Sequence, residues 1–261
     1  MGNKILLSIR KDDGMKEKRL NDLQWAGIYN MDRAQGIYRS IEKRCFSAQT
    51  DEMLKIVEEN GYSSACEIGC GSGQTAIALA KQGVKVVAVD YQTESLKLVK
   101  TVAGLFGGEV IRNIDVVCCD AQEKLPFAKN QFDVIYHAGL LEHYKNDERI
   151  QMLKLWKEYC KEMISMVPNG ASVAYRYGKE KMIKNGTWPY GVENIIYTQV
   201  LDFIKAGLNV NSEYTIGLMN SMNFLDNENY LKKAMKQLWD EHFLEDDCHQ
   251  GYLLVTRGEK I

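Results

Sequence analysis

Proline is scarce in this sequence of 261 residues, where it occurs at Pro126, Pro168 and Pro189. A Pro-rich linker that would separate two domains is therefore missing. Internal repeats and low-complexity segments are absent as well. The length is that of one large domain with a smaller addition rather than that of two full domains.

Long apolar runs are also missing, since no stretch approaches the roughly 20 apolar residues of a membrane-spanning helix. The first residues lack the apolar segment of a secretory signal, and Leu6 stands where N-myristoylation requires Ser or Thr. We therefore expect a cytoplasmic protein without a membrane partner.

Neither sign of charge is in clear excess. Lys and Arg number 33 against 35 Asp and Glu, which gives a net charge of -2, and no basic block is present. Proteins that bind a phosphate backbone usually carry such a block. We therefore expect no nucleic-acid partner.

The seven cysteines are odd in number and include no C-x-x-C pair. Structural zinc sites need ligands paired at short spacing, so we predict no metal site. Unpaired cysteines within apolar runs indicate buried, reduced thiols in a cytosolic protein.

What the sequence does contain is an alternation of strand and helix patterns from residue 64 onward. The predicted strands are 64–68, 85–89, 114–119, 132–136, 171–177, 214–218 and 251–256. The predicted helices are 51–59, 74–82, 93–105, 195–206, 231–243 and one that begins at Asn146 and carries an apolar stripe to Ile164. This alternation indicates an α/β protein with a parallel sheet and helices on both faces. We predict that residues 1–47 form a helical cap on a domain of residues 48–261.

The sharpest motif is A-C-E-I-G-C-G-S-G, residues 65–73, between a predicted strand and a predicted helix. Gly69, Gly71 and Gly73 allow a tight turn and the close approach of a ligand, and the following helix begins with unpaired N–H groups. The dinucleotide fingerprint requires Gly or Ala at position 74, where this sequence has Gln74. The motif therefore disfavours a nicotinamide cofactor.

Three acids stand at or near the ends of the first three predicted strands, namely Glu67, Asp90 and Asp120. The carboxyl ends of adjacent parallel strands line one crevice in a doubly wound sheet. A carboxylate there can accept strong hydrogen bonds from both hydroxyls of a ribose. Together with the glycines, these acids predict a site for a nucleotide-like cofactor.

The segments E-I-G-C-G-S-G, V-D-Y, C-D-A and F-D-V-I-Y, in this order, resemble the motifs of class I S-adenosylmethionine-dependent methyltransferases. The resemblance covers about residues 48–178 and the last strand. V-P-N-G-A-S-V-A-Y is similar to the family's turn into its fifth strand, although Asn169-Gly170 replaces two adjacent glycines. The resemblance implies a Rossmann-like, mostly parallel seven-stranded sheet of order 3-2-1-4-5-7-6 with strand seven antiparallel, and S-adenosylmethionine as cofactor.

The resemblance also implies where the cofactor would bind. The three glycines would lie against its methionine and ribose, and Glu67 would reach its amino group. Asp90 would bind the ribose diol, and Tyr91 would pack on the adenine. Asp120 and the Ala121 backbone would contact the adenine nitrogens.

The acceptor side is less constrained by the motifs. His137 would lie beside the sulfonium, and His143 is our candidate general base, with Tyr29 as a second catalytic candidate. Alternatively, His143 caps the next helix, and alignment alone accelerates the transfer. Aromatic walls suit ligand pockets, and four aromatic residues are candidates for binding the acceptor: Trp25, Tyr38, Trp188 and Tyr190. Aromatic residues at helical spacing, such as Trp25 and Tyr38, are often core instead.

These expectations favour a methyltransferase that acts on a small molecule. The alternatives are a protein or peptide methyltransferase and an inactive, cofactor-binding partner subunit. Methylation of DNA amino groups is disfavoured because Tyr136-His137-Ala138-Gly139 does not match the D-P-P-Y motif.

The cofactor expectation can be tested by calorimetry with the purified chain. We expect S-adenosylhomocysteine to bind, whereas NAD and NADP should give no saturable heat, because Gln74 and Glu67 replace features of the dinucleotide motif. Tighter binding of NAD than of S-adenosylhomocysteine would contradict this prediction.

Overall fold

The structure, a computed structural model, describes residues 22–227, 229–242 and 249–261. Seven strands form one sheet of order β3-β2-β1-β4-β5-β7-β6. Strands β1 to β5 are parallel, and β7 runs antiparallel to both β5 and β6. The strands are β1 Ser64–Ile68, β2 Lys85–Asp90, β3 Ile114–Cys118, β4 Phe132–Ala138, β5 Cys160–Pro168, β6 Leu208–Ile216 and β7 Leu253–Lys260. The predicted sheet order and the antiparallel seventh strand are confirmed.

Eleven α-helices are present in the described part of the chain, and they cover both faces of the sheet. Consecutive residues of a strand point to opposite faces; accordingly, Val134 and Tyr136 of β4 belong to one apolar cluster and Ile135 to another. The helices are α1 Asp22–Ile28, α2 Ala34–Glu42, α3 Ala48–Asn60, α4 Gln74–Lys81, α5 Thr93–Phe106, α6 Gly108–Asn113, α7 Asn146–Trp156, α8 Val173–Lys184, α9 Val200–Ala206, α10 Leu218–Ser221 and α11 Tyr230–Asp240.

The fifth strand was predicted in the wrong place. The segment 171–177 falls in and just before α8, while β5 comes earlier and includes part of the stripe assigned to the preceding helix. That helix ends at Trp156, although Cys160 and Ile164 continue its four-residue spacing. The β5 segment is buried except at Lys161, and a fully buried strand shows no alternation that would distinguish it from a helix. The V-P-N-G motif therefore spans the end of the fifth strand instead of leading into it.

Other boundaries differ by a few residues, and two short helices, α6 and α10, were not predicted. Strand β6 begins at Leu208, six residues before the predicted start, and α9 is shorter than its predicted helix. The last strand begins at Leu253 and runs to Lys260. Among the described residues, no helix is long and apolar enough to cross a membrane.

The N-terminal segment packs as two helices against the sheet domain. Ile37 and Ile41 of α2 are buried, and the Tyr38 ring packs on Phe106 of α5 with centroids 4.6 Å apart. Helix α1 carries Trp25 toward the carboxyl ends of the strands, where it lines a cavity. Residues 1–21 of the predicted cap lie outside the described residues.

Of the six cysteines that the structure describes, all carry free thiols. Cys66, Cys70 and Cys160 are buried, as predicted, but Cys45 and Cys118 are exposed. The prediction of buried thiols is wrong for these two because Cys45 follows the last turn of α2 and Cys118 ends a strand at the edge of the sheet.

The helical assignment of residues 173–184 can be tested with two glycine substitutions. A Cβ at Gly178 of α8 would overlap the Phe224 carbonyl oxygen, whereas a Cβ at Gly104 of α5 meets nothing within 4 Å. We expect Gly178→Ala to lower the free energy of unfolding by about 1–3 kcal/mol through overpacking. Gly104→Ala should raise it by up to about 1 kcal/mol through helix propensity. Denaturant titration measures both, and an equal effect of the two changes would contradict this packing.

Candidate active site

A cavity of about 250 Å³ opens at the carboxyl ends of β1, β2 and β4. Parallel strands place the residues that follow them at one edge of the sheet, and ligands of open α/β sheets bind there. Eight of the residues predicted from the sequence to form the site line this cavity: Trp25, Tyr29, Gly69, Asp90, Tyr91, Asp120, Ala121 and His143.

The glycine loop between β1 and α4 needs its glycines for two reasons. Gly69, Gly71 and Gly73 all have a φ between 50° and 66°, a region that side chains other than glycine rarely adopt. In addition, a Cβ at Gly71 would stand 2.8 Å from the Tyr29 ring. The Tyr29 ring therefore lies directly against the loop.

Asp90 is fixed by the loop and by its own turn. Its Oδ2 accepts a hydrogen bond from the Gly71 N–H at 2.9 Å, and its Oδ1 accepts one from the Gln92 N–H at 2.9 Å. Burial raises the pKa of the Asp90 carboxyl, while these N–H groups oppose the shift. The carboxylate is thereby held rigidly at the wall of the cavity.

Glu67 lies behind the loop rather than in the wall of the cavity. Its Oε2 accepts a hydrogen bond from the Ala76 N–H at 3.1 Å, in the first turn of α4. Burial raises the pKa of Glu67 to about 8, and the bond from Ala76 and the Tyr136 hydroxyl oppose the shift. This carboxyl joins the end of β1 to the start of α4.

Tyr91, Asp120 and Ala121 also line the cavity. The Tyr91 side chain is 43% exposed, which leaves its ring accessible to a ligand. The Ala121 carbonyl accepts a hydrogen bond from the Trp156 indole at 2.8 Å, so the backbone at Ala121 is held from α7. Asp120 Oδ1 accepts a hydrogen bond from the Gln122 N–H at 2.8 Å.

His137 does not reach the cavity. It is fully buried, and its Nε2 lies 2.6 Å from the Ser165 hydroxyl, which donates to Gln199 Oε1. Burial lowers the pKa of His137 to about 3, so the ring is neutral at physiological pH. Because the Ser165 hydroxyl donates onward, His137 Nε2 carries the hydrogen and the ring belongs to a buried polar network.

His143 lines the cavity in a defined tautomer. Its Nδ1 lies 2.8 Å from the Val192 carbonyl oxygen, and because a carbonyl can only accept, Nδ1 carries the hydrogen. Nε2 of the neutral ring then has a lone pair. The Trp25 ring meets the His143 ring edge-on at 5.3 Å.

Trp25 and Tyr29 form an aromatic wall above the loop. Their rings are parallel, with centroids 6.1 Å apart. Burial, followed by the neighbouring Tyr190, raises the pKa of the Tyr29 phenol above its ordinary value of 10.0. Its hydroxyl therefore stays protonated and can donate a hydrogen bond.

Three predicted acceptor residues stand outside the cavity. Tyr38 packs on α5, as described above. Trp188 is buried beside Tyr175 and Tyr190, with centroids 6.4 and 5.3 Å away. Tyr190 lies near enough to Tyr29 to raise the pKa of the Tyr29 phenol.

The sequence analysis missed part of the lining. Gln92 and Ser95 follow Asp90, and Leu140 and Tyr144 flank the turn after β4. Their positions just beyond two predicted strand ends were a signal that could have found them. Glu193, which lies close to Glu142 and His143, gave no such signal because it is 50 residues away along the chain.

Comparison with known proteins places this geometry in a known class. The methyltransferase domain of bacterial CtHen1-CN has a TM-score of 0.57 and 13% identity, covering 81% of this chain and 97% of that one. Geranyl diphosphate methyltransferase in complex with S-adenosylmethionine has a TM-score of 0.51 and 12% identity, covering 76% and 78%. These likenesses show the fold, which is that of the Rossmann-like methyltransferases.

Sequence comparison identifies the family. Residues 65–163 match the family described as methyltransferase domain. The mitochondrial ubiquinone biosynthesis O-methyltransferase of Arabidopsis thaliana is 29% identical over 136 residues, which are 52% of this chain and 36% of that protein. The chain contains a class I S-adenosylmethionine-dependent methyltransferase domain, as its motifs implied. The match spans about a third of the length of this relative.

The buried carboxyl of Glu67 predicts a pH-dependent stability. Its pKa rises from 4.5 to about 8 on folding, so the unfolded state releases a proton that the folded state retains, and stability falls as pH rises between these values. Glu67→Gln keeps an acceptor for the Ala76 N–H but cannot ionise. We expect the Tm of Glu67→Gln minus that of the unmodified protein to increase from pH 4.5 to 8. The exposed substitution Glu180→Gln is the control, and a constant difference in Tm for Glu67→Gln would contradict the prediction.

Proposed function

We propose that this protein transfers the methyl group of S-adenosylmethionine to a small-molecule acceptor. The observation that supports this most is the cavity itself. It is lined by Gly69 of the glycine loop and by Asp90, together with Trp25, Tyr29 and His143. Cavities walled by aromatic rings with a few fixed polar groups are typical of small-molecule sites, and a peptide would need a longer open groove.

The cofactor would occupy the side of the cavity nearest the sheet. Asp90 would bind the ribose diol, and Gly69 would lie against the methionine portion. Glu67, held behind the loop, would act on the amino group through the loop or a water molecule. Tyr91 would cover the adenine, with Asp120 and the Ala121 backbone at its edge.

The acceptor would bind beneath Trp25 and Tyr29. His143 Nε2 has the lone pair that a proton acceptor needs, and the Tyr29 hydroxyl can donate a hydrogen bond to the acceptor or cofactor. Tyr190 and Trp188 would support this wall from behind. Tyr38 would not contact the acceptor, because its ring packs on Phe106. His137 would lie beneath the site and support β4.

Residues 22–42 would act as part of a cap. Tyr29 presses on Gly71, so the position of the cap and that of the glycine loop are linked. Closure over the cofactor would exclude water and align the methyl group with its acceptor.

The proposal is tested by binding and by product identification. Asp90→Ala removes charge-assisted hydrogen bonds of about 1.5–3 kcal/mol each, so calorimetry should show at least a tenfold increase in the Kd of S-adenosylhomocysteine. Asp115→Ala, an exposed change on β3, should leave the Kd unchanged.

The same proteins can then be incubated with metabolite extracts and methyl-labelled S-adenosylmethionine. Mass spectrometry should detect a labelled small molecule with the unmodified protein and with Asp115→Ala, and much less with Asp90→Ala. Labelled peptides or proteins without a labelled small molecule would overturn the proposed acceptor class, and an unchanged Kd in folded Asp90→Ala would overturn the proposed ribose contact.

A further inference from the structure

Three potential metal ligands converge beside the cavity. One ligand atom each from Glu142, His143 and Glu193 lies within 4.8 Å of the other two. Glu142 and His143 belong to the turn after β4, and Glu193 belongs to a segment 50 residues later. The two segments are held together because the Asn194 N–H donates to the Glu142 carbonyl at 2.7 Å and His143 Nδ1 donates to the Val192 carbonyl.

Glu142 has an unsatisfied carboxyl oxygen. The residue is 2% exposed, and its Oε2 has no hydrogen-bond partner among the residues that the structure describes. A buried carboxylate without a partner is costly, and such groups are normally paired or bound to a metal ion. Its other oxygen, Oε1, lies 3.8 Å from His143 Nε2, so the carboxylate faces the imidazole.

His143 has the hydrogen-bond pattern of a metal ligand. Histidines that bind metals through one ring nitrogen usually donate the other N–H to a carbonyl or carboxylate. Here Nδ1 donates to the Val192 carbonyl oxygen at 2.8 Å. This bond fixes both the tautomer and the direction of the Nε2 lone pair, which is on the side of Glu142.

Glu193 is oriented by second partners, as ligating carboxylates usually are. Its Oε2 accepts hydrogen bonds from the Tyr175 hydroxyl and from Lys179 Nζ. Burial, followed by the neighbouring Glu193, raises the pKa of the Glu142 carboxyl, and a bound cation would favour its ionised form. In that form, the two carboxylates and a protonated Lys179 give the cluster a net charge of -1. A divalent cation would change this to +1, and one oxyanion from a substrate would neutralise it.

We propose that Glu142, His143 and Glu193 bind a divalent metal ion that coordinates the acceptor, and that the acceptor is therefore a hydroxyl compound. Two carboxylates and one imidazole suit Mn²⁺ or Zn²⁺. The ion would stand at the wall of the cavity, since His143 lines it and a Cβ at Gly139, another lining residue, would be 3.4 Å from Glu142 Oε1. The expectation of no metal rested on cysteine spacing, which gives no information about carboxylate and imidazole ligands.

The ion would act as a Lewis acid on the acceptor hydroxyl. The hydroxyl proton leaves to bulk solvent, and an oxygen lone pair forms the new bond to the methyl carbon. The bond from that carbon to sulfur breaks and its electron pair stays on sulfur, which yields a methyl ether and S-adenosylhomocysteine. Nε2 of His143 cannot hold the ion and take the proton at once, so the ion replaces His143 as the activating group. The acceptor class rests on the proposed function, whereas metal binding does not.

Metal binding can be measured on the full chain after treatment with a chelator. Titration with MnCl2, followed by calorimetry and by the Mn²⁺ electron paramagnetic resonance signal, should show one saturable site. Glu142→Gln and Glu193→Gln should each raise the Kd for Mn²⁺ at least tenfold, whereas the exposed change Glu180→Gln on α8 should not. Absence of a saturable site, or equal Mn²⁺ binding by Glu142→Gln and the unmodified protein, would overturn the metal site.

Two further measurements separate this proposal from the proposed function. Unchanged binding of S-adenosylhomocysteine by Glu142→Gln would show that the variant is folded. If Glu142→Gln no longer binds S-adenosylhomocysteine, the Mn²⁺ titration is carried out with Glu193→Gln and with the conservative change Glu142→Asp instead. In the labelled-methyl experiment, added Mn²⁺ should increase labelled methyl ethers and a chelator should decrease them. Products labelled on nitrogen or sulfur, or ethers formed equally with chelator, would overturn the acceptor class while leaving methyl transfer itself supported.

Discussion

The hydrogen bond from the Gly71 N–H to the Asp90 carboxylate joins the glycine loop to the wall of the cavity. It ties the loop after β1 to the end of β2 while leaving the carboxylate at the wall of the cavity. The loop can take this path because its glycines adopt positive φ angles. Tyr29 then packs on Gly71, so the N-terminal helices are positioned by the same contact.

Buried carboxyl groups are concentrated around this contact. Glu67 and Asp90 both lose hydration, and each is compensated in part by backbone N–H groups. Glu142 is buried too, but one of its oxygens lacks such a partner among the described residues. Sites that bind ligands often retain polar groups that the fold alone does not satisfy. The two proposed sides of the cavity thus differ: the carboxyl groups proposed to serve the cofactor are nearly satisfied by the protein, whereas Glu142 is not.

The proposed acceptor side depends on contacts between distant segments. The turn after β4 carries His143, and the Val192 carbonyl 49 residues later sets the tautomer of that ring. Tyr190 from the same later segment stands near Tyr29 from the N-terminal helices. Because three separate segments meet there, changes in any one of them would alter the shape of the proposed acceptor pocket.

The sequence by itself determined most of the alternation of strands and helices, because apolar strand patterns are visible locally, and its resemblance to the methyltransferase family implied the sheet order. It also brought Gly69, Asp90 and Asp120 to one cavity, because each lies at or just after the end of a parallel strand. It misplaced the fifth strand, since the fully buried residues of β5 show no period that separates strand from helix. Only the tertiary structure decided that His143 lines the cavity while His137 does not, and that Glu193 lies beside Glu142. Those placements depend on packing between residues far apart in the chain, which no local pattern records.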